Sequence, residues 1–307
     1  MTAEAHLEVY RRFQGELRES RLRFTSILGP GLRIALKQRL ALLLLYGPIG
    51  IATIIFSSGV YAKFVLEAQN ELQVPESSLD LQARLIEQVN RAQFGDLIEV
   101  VTWMIRFNIV MGVAAVLAVA WFGSGLFCED RKAGAHQLYF ARPITRLDYF
   151  LGKFSIAAFF SLCAMLVPML VISLVAAVTS PEWSFVKEEW DVFPRAIAFS
   201  LTWTVVIVSL VLLASSLAPR RSFALVGVFA VSMISEAASG ILGGLVDQRL
   251  FAIGIVNDLN ALCYHIFGKR VEGPPVSASD AWLALCVLVA LCWLVIAARL
   301  RRLEVVA

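Results

Sequence analysis

FSIAAFFSLCAMLVPMLVISLVAAV, residues Phe154–Val178, runs for 25 positions without a charged side chain. As an α-helix rising about 1.5 Å per residue it is about 37 Å long, enough to cross a hydrocarbon core of roughly 30 Å. Five other stretches meet the same requirement of about 20 mostly apolar residues: Leu40–Tyr61, Arg106–Phe127, Ala196–Leu217, Phe223–Leu245 and Trp282–Ala298, the last a little short. The whole chain agrees with its parts. Of 307 residues 59% are hydrophobic and only 17% charged, and the mean hydropathy is +0.74, against roughly 45–50% apolar and about 25% charged in soluble domains. The expected fold is an all-α polytopic membrane protein with six transmembrane helices.

Other classes drop out on chemistry. Cys128, Cys163, Cys263, Cys286 and Cys292 are scattered, as are His6, His136 and His265, so neither a zinc site nor a disulfide framework has its spacing. No metal is expected. The net charge of +3 comes without a basic stripe interleaved with aromatics, so no nucleic-acid partner is expected. No GxSxG elbow, HExxH pair or paired carboxylate falls within the spans. No internal repeat divides the chain, which reads as a cytoplasmic N-terminal region 1–39, a six-span domain 40–298 and a tail 299–307.

Lysine and arginine are retained on the cytoplasmic side of a bilayer, so their distribution orients the spans. The segments 1–39, 128–153, 218–222 and 299–307 hold 18 of them, and the opposite segments 62–105, 179–195 and 246–281 hold 8. Acidic residues run the other way, with 8 and 15 on the same two sides and Glu236 within a span. Both termini are therefore expected in the cytoplasm. No cleavable leader is expected, because the first apolar run starts only after residue 39 and is itself long enough to span.

Before that run, Leu7, Tyr10, Phe13 and Leu17 alternate with Arg11, Arg12, Arg18, Arg21 and Arg23. A basic amphipathic helix on the inner leaflet and a solvated tail both fit this pattern. After a break at Gly29-Pro30-Gly31, GLRIALKQRL predicts an elbow helix along the membrane. Outside, Leu81 to Leu97 predict an amphipathic helix. Trp103, Trp183, Trp190 and Trp282 fall at the outer boundary, where interfacial aromatics gather. The segment LFAIGIVNDLNALCYHIF, starting at Leu250, is too short and too polar to span and predicts a re-entrant or interfacial helix.

The longest inner connection between spans reads CEDRKAGAHQLYFARPITRLDYFLGKF from Cys128. Pro143 lacks an amide donor and stops the helix or turn before it. Thr145 and Asp148 then have capping-box spacing, which predicts the start of the helix leading through Gly152 and Lys153 into the third span. Lys153 is not part of a phosphate loop, because Leu147 and Phe154 hold the places of its glycine and its Ser or Thr.

This stretch resembles the permeases of ABC transporters of the type-2 exporter class. In that family an acidic residue precedes a glycine by four; proline follows nine later, arginine three beyond it, and a glycine-lysine pair opens the third span. Asp130, Gly134, Leu138, Pro143, Arg146, Gly152 and Lys153 keep every spacing, while Ala135 and Gln137 replace the frequent threonine and glutamate. The six spans, the basic entry and the short connection APRRS at 218–222 also fit.

The resemblance implies that the short helix is a coupling helix docking on a separate ABC-type ATPase. Leu138, Tyr139 and Phe140 would be its apolar anchors, and Arg142 and Arg146 its charged contacts. An ordinary basic loop touching anionic headgroups is the other reading of these arginines. The resemblance further implies two ATPase copies carrying ATP and Mg, no cofactor and no enzymatic site in this chain, a second permease copy or a sister permease, and the bacterial inner membrane. A non-translocating anchor or assembly factor on the same fold, or a lipid-modifying membrane enzyme, are the alternatives. Glu236 has two readings left open: a polar residue of the pathway or dimer axis, or a structural hydrogen-bonded contact between helices. No substrate is legible.

Overall fold

The computed structural model describes residues 24–72, 99–135, 145–271 and 273–302. Among them there is no strand. We number the helices α1 (Thr25–Leu36), α2 (Arg39–Leu72), α3 (Val100–Gly123), α4 (Gly125–Lys132), α5 (Arg146–Thr179), α6 (Ser184–Glu188), α7 (Val192–Leu217), α8 (Arg221–Leu245), α9 (Ile255–Ile266) and α10 (Ala278–Arg302). Six helical stretches are long and apolar enough to cross a membrane: α2, α3 with α4, α5, α7, α8 and α10. The chain is thus a six-span helical protein.

Each span begins or ends beyond its apolar run, because backbone hydrogen bonding continues where hydropathy stops. The second starts at Val100, six residues ahead of Arg106, so Arg106 lies inside the helix, half-buried. The sixth extends from Ala278 to Arg302, which supplies the missing length and takes in the start of the expected tail. The elbow needs a correction. The helix does not begin after Gly29-Pro30-Gly31 but runs from Thr25 straight through Pro30. Packing outweighs the one lost donor: Ile27 is buried against Gly152, and Gly31 lies over Ile156 of α5. The basic stretch 1–23, the outer segment 73–98 and residues 136–144 lie outside the described residues.

α5 packs against α1, α2, α3 and α7, and α7 in turn against α3, α8 and α10. In the most apolar stretch of α7 67% of residues are buried, against 11% in α8. The middle of the bundle is closed by aromatic and hydroxyl pairs. Phe122 stacks on Phe160 with centroids 4.2 Å apart, and Tyr46 of α2 donates to the Phe160 carbonyl at 2.7 Å. Ser161 and Thr204 share a hydrogen bond of 2.7 Å, and the Trp293 indole donates to Ser209 Oγ at 2.8 Å. Such partners matter here, since an unsatisfied polar group costs several kcal/mol where no water reaches it. The described cysteines are all free thiols.

After α8 the chain turns and a 3-10 stretch, Gln248–Ile253, runs back alongside it. The Phe251 ring fills the space over Gly243, and the Phe251 carbonyl accepts from Ser239 Oγ at 2.8 Å. α9 then starts beside Glu236 and leads on to α10. The segment expected as a re-entrant or interfacial helix forms this fold-back, which doubles along the C-terminal part of α8.

Candidate functional site

α4 and the start of α5 flank residues 136–144 at the basic end of the bundle. α5 opens with a capping box: Thr145 Oγ1 accepts from the Asp148 amide at 3.1 Å, and Asp148 Oδ2 accepts from the Thr145 amide at 3.0 Å. α4 closes at Gly134, whose φ of +66° is the left-handed conformation a side chain disfavours. Both helix ends are therefore defined by their own residues.

The two arms are tied together below these ends. Lys153 Nζ lies 2.6 Å from Asp130 Oδ2, and the Tyr149 hydroxyl donates to the same oxygen at 2.8 Å. Lys153 is buried and only 17% of the Asp130 side chain is exposed. Low local dielectric strengthens such a pair, and it also makes breaking it costly. Asp130 and Lys153, 23 positions apart, are thus one contact. Arg146 sits half-buried in the first turn of α5. Leu138, Tyr139, Phe140, Arg142 and Pro143 lie outside the described residues.

α4 is also tied to α7. Arg131 donates to the Ser216 carbonyl at 2.6 Å and to the Ala218 carbonyl, while Arg299 reaches the Ser216 carbonyl at 3.5 Å. These are carbonyls of the α7 C-terminus, which lacks intrahelical donors and favours cations. In the other direction, Ser215 Oγ accepts from the Phe127 amide at 3.0 Å and the Cys128 amide at 3.4 Å, near the start of α4. The two termini cap each other. Sequence reasoning missed Arg131, Tyr149 and Ser215. Arg131 registered only as topological charge, and a serine near the end of an apolar run has no pattern of its own.

Gly152 brings α1 to this junction. A Cβ there would lie 2.9 Å from Ile27 Cβ, so only glycine lets the helices approach this closely.

Glu236 belongs to a separate cluster toward the other end. Its Oε1 accepts from the Val256 amide at 2.6 Å and from the Asn257 amide at 3.3 Å. Asn257 Nδ2 donates to Ser239 Oγ at 3.0 Å, so Glu236 and Ser239, one turn apart on α8, both hold the start of α9. A carboxylate on the orphan amides of a helix N-terminus is favoured by charge and by hydrogen bonding. Nearby, Asp258 is buried with Oδ1 lacking a partner among the described residues, and Asn108 of α3 donates to Asn260 at 3.2 Å.

Six apolar spans, a short helix at the basic end pinned between them and a fold-back before the last span define a polytopic helical membrane protein. The chain belongs to the ABC-2 family of transporter proteins, whose family model matches residues 40–298. No curated protein matches it. Membership makes the chain a membrane component of an ABC transporter, a class that works with an ABC ATPase.

Proposed function

We propose that the chain is the permease subunit of an ATP-driven exporter. Two six-span subunits, as a homodimer or with a sister permease, work with two ABC-type ATPase subunits that carry ATP and Mg. Residues 136–144 dock on the ATPase from the cytoplasm, with Leu138, Tyr139 and Phe140 as anchors and Arg142 and Arg146 fixing the register. ATP binding draws the two docking segments together and hydrolysis releases them.

The observation that carries this reading is the buried Asp130–Lys153 contact, which joins the two arms flanking the docking segment. An arm that swung freely would dissipate a push on the loop. Arms joined to each other, and to α7 through Arg131, hand the push to the spans. Leu138→Asp with Tyr139→Asp is expected to abolish co-purification of the ATPase from native membranes while membrane insertion stays intact. Unchanged co-purification overturns the docking assignment. Cysteines placed at Ala3 and Val305 are expected to resist membrane-impermeant reagents in intact cells, which checks the cytoplasmic termini.

A further inference from the structure

The backbone of the second span stays helical through Ser124, at φ −62° and ψ −28°, but its hydrogen-bond ladder is broken there. α3 ends at Gly123 and α4 begins at Gly125. The last bond before the junction is from the Ser124 amide to the Ala120 carbonyl, at 2.9 Å. An unbroken helix would bond the Phe127 amide to the Gly123 carbonyl and the Gly125 amide to the Trp121 carbonyl. Instead Phe127 donates to Ser215 Oγ of α7 at 3.0 Å, and the Trp121 carbonyl accepts from Arg221 of α8 at 2.5 Å. Side chains entering the ladder of a helix are a recognised cause of bends. Here the freed donor is taken by α7, and the freed acceptor by α8 and, at 3.4 Å, by the hydroxyl of Ser124 itself.

We infer that Ser124 is a hinge, and that α4 moves as one body with the base of α7 rather than with α3, to which it is covalently joined. Ser215 and Arg131 are the positioning residues. Ser215 holds the start of α4 at Phe127 and Cys128, and Arg131, about one turn on, holds the end of α7, so the contact resists both sliding and rotation. Asp130 and Lys153 add the base of α5 to the same body. α3 is left with a joint at Ser124 between its transmembrane part and α4. The hinge rests on the exporter reading for its driver, though the capping geometry does not. The push on residues 136–144 therefore reaches the fourth span first, and the second span follows only through its joint.

Two measurements test this. In the full chain with its co-purified ATPase in nanodiscs, and with the exposed Cys286 replaced by serine, nitroxides are attached in pairs at Lys132 and Leu217, and at Lys132 and Val113. Addition of ATP and vanadate is expected to shift the Lys132–Val113 distance and leave Lys132–Leu217 unchanged. A shift in Lys132–Leu217, or no shift in Lys132–Val113, overturns the hinge. Hydrogen exchange on the permease alone, without ATPase, tests the cap. Ser215→Ala is expected to speed exchange of the Phe127 and Cys128 amides several-fold, with α3 unchanged, and Ser215→Thr to restore it. Exchange equal to the parent chain in Ser215→Ala overturns the cap. Loss of ATPase co-purification alone would count against the exporter reading and leave the exchange result standing.

Discussion

At the basic end, Arg131, Lys153 and Ser215 bind three spans into one junction, whereas at the other cluster Glu236 and Ser239 of α8 hold a fold-back that also bonds α3 through Asn108 and Asn260. Both places solve the same difficulty: helix termini carry unpaired backbone groups, and these must be satisfied inside an apolar bundle. The basic end satisfies them reciprocally, each helix capping the other. The Glu236 cluster works in one direction, from α8 to α9. Reciprocal capping couples the motions of the helices that share it. One-way capping fixes a segment without making the helices that hold it cap one another. The basic junction thus has the form of a transmission, and the fold-back that of an anchored insert.

The contrast breaks most sharply at Asp130. Asp130→Ala leaves Lys153 buried without its carboxylate, and such a loss typically costs about 3–5 kcal/mol. A lowered melting temperature of the permease in nanodiscs reads it. Asp130→Asn with Lys153→Met removes both charges at similar volume and is expected to recover most of the loss. Equal melting temperatures for Asp130→Ala and the parent chain would show that the junction is not held by this pair.

Glu236 comes next. Glu236→Leu strips the acceptor from the partly exposed Val256 and Asn257 amides, and is expected to cost at the low end of the roughly 1–3 kcal/mol of a buried unsatisfied donor. Glu236→Gln keeps an acceptor oxygen in the same place, so it is expected to retain most of the stability. Hydrogen exchange separates the two clusters further: Glu236→Leu is expected to speed exchange at the start of α9 and leave α4 unchanged.

The spans were legible because a run of 20 or more uncharged residues admits few other fates, and Phe154–Val178 alone decides the class. The start of α5 was legible too, since Thr145 and Asp148 carry their capping chemistry in their spacing. What escaped was any group whose partner lies far along the chain. Ser215 could donate to its own helix in countless spans; its role depends on a gap in another helix some 88 positions away. Glu236 was noticed for its cost, but its partners are backbone amides, which no side-chain pattern reveals. Pro30 misled the reading of the elbow, because the contacts that carry the helix through it are with Gly152 and Ile156.

Gly152→Ala probes the approach of α1 to the junction. The added methyl meets Ile27 at its Cβ, which cannot swing away as a side-chain tip could. Overpacking of this kind costs about 1–3 kcal/mol, and the lower end is expected because α1 is held mainly on one side. Accelerated proteolysis near Thr25 with the rest of the chain protected is the expected readout.

The smallest effect concerns Glu189, between α6 and α7 at the acidic end. Burial raises its carboxyl above the usual glutamate range, Lys63 and Lys269 oppose the rise, and Glu99 and Asp191 add to it. Its Oε2 has no partner among the described residues. The folded chain therefore holds this proton more tightly than the unfolded one. Its stabilising contribution is complete below the ordinary glutamate value of about 4.3 and is lost as pH rises through the raised value. Glu189→Gln is neutral at every pH and removes that dependence. The melting temperature of the variant is expected to match the parent chain near pH 4 and to exceed it slightly near pH 8. A variant that is less stable at pH 8 would mean that the charged carboxylate is held by its lysine neighbours, and the acidic end would then resemble the ion-paired junction at the other end.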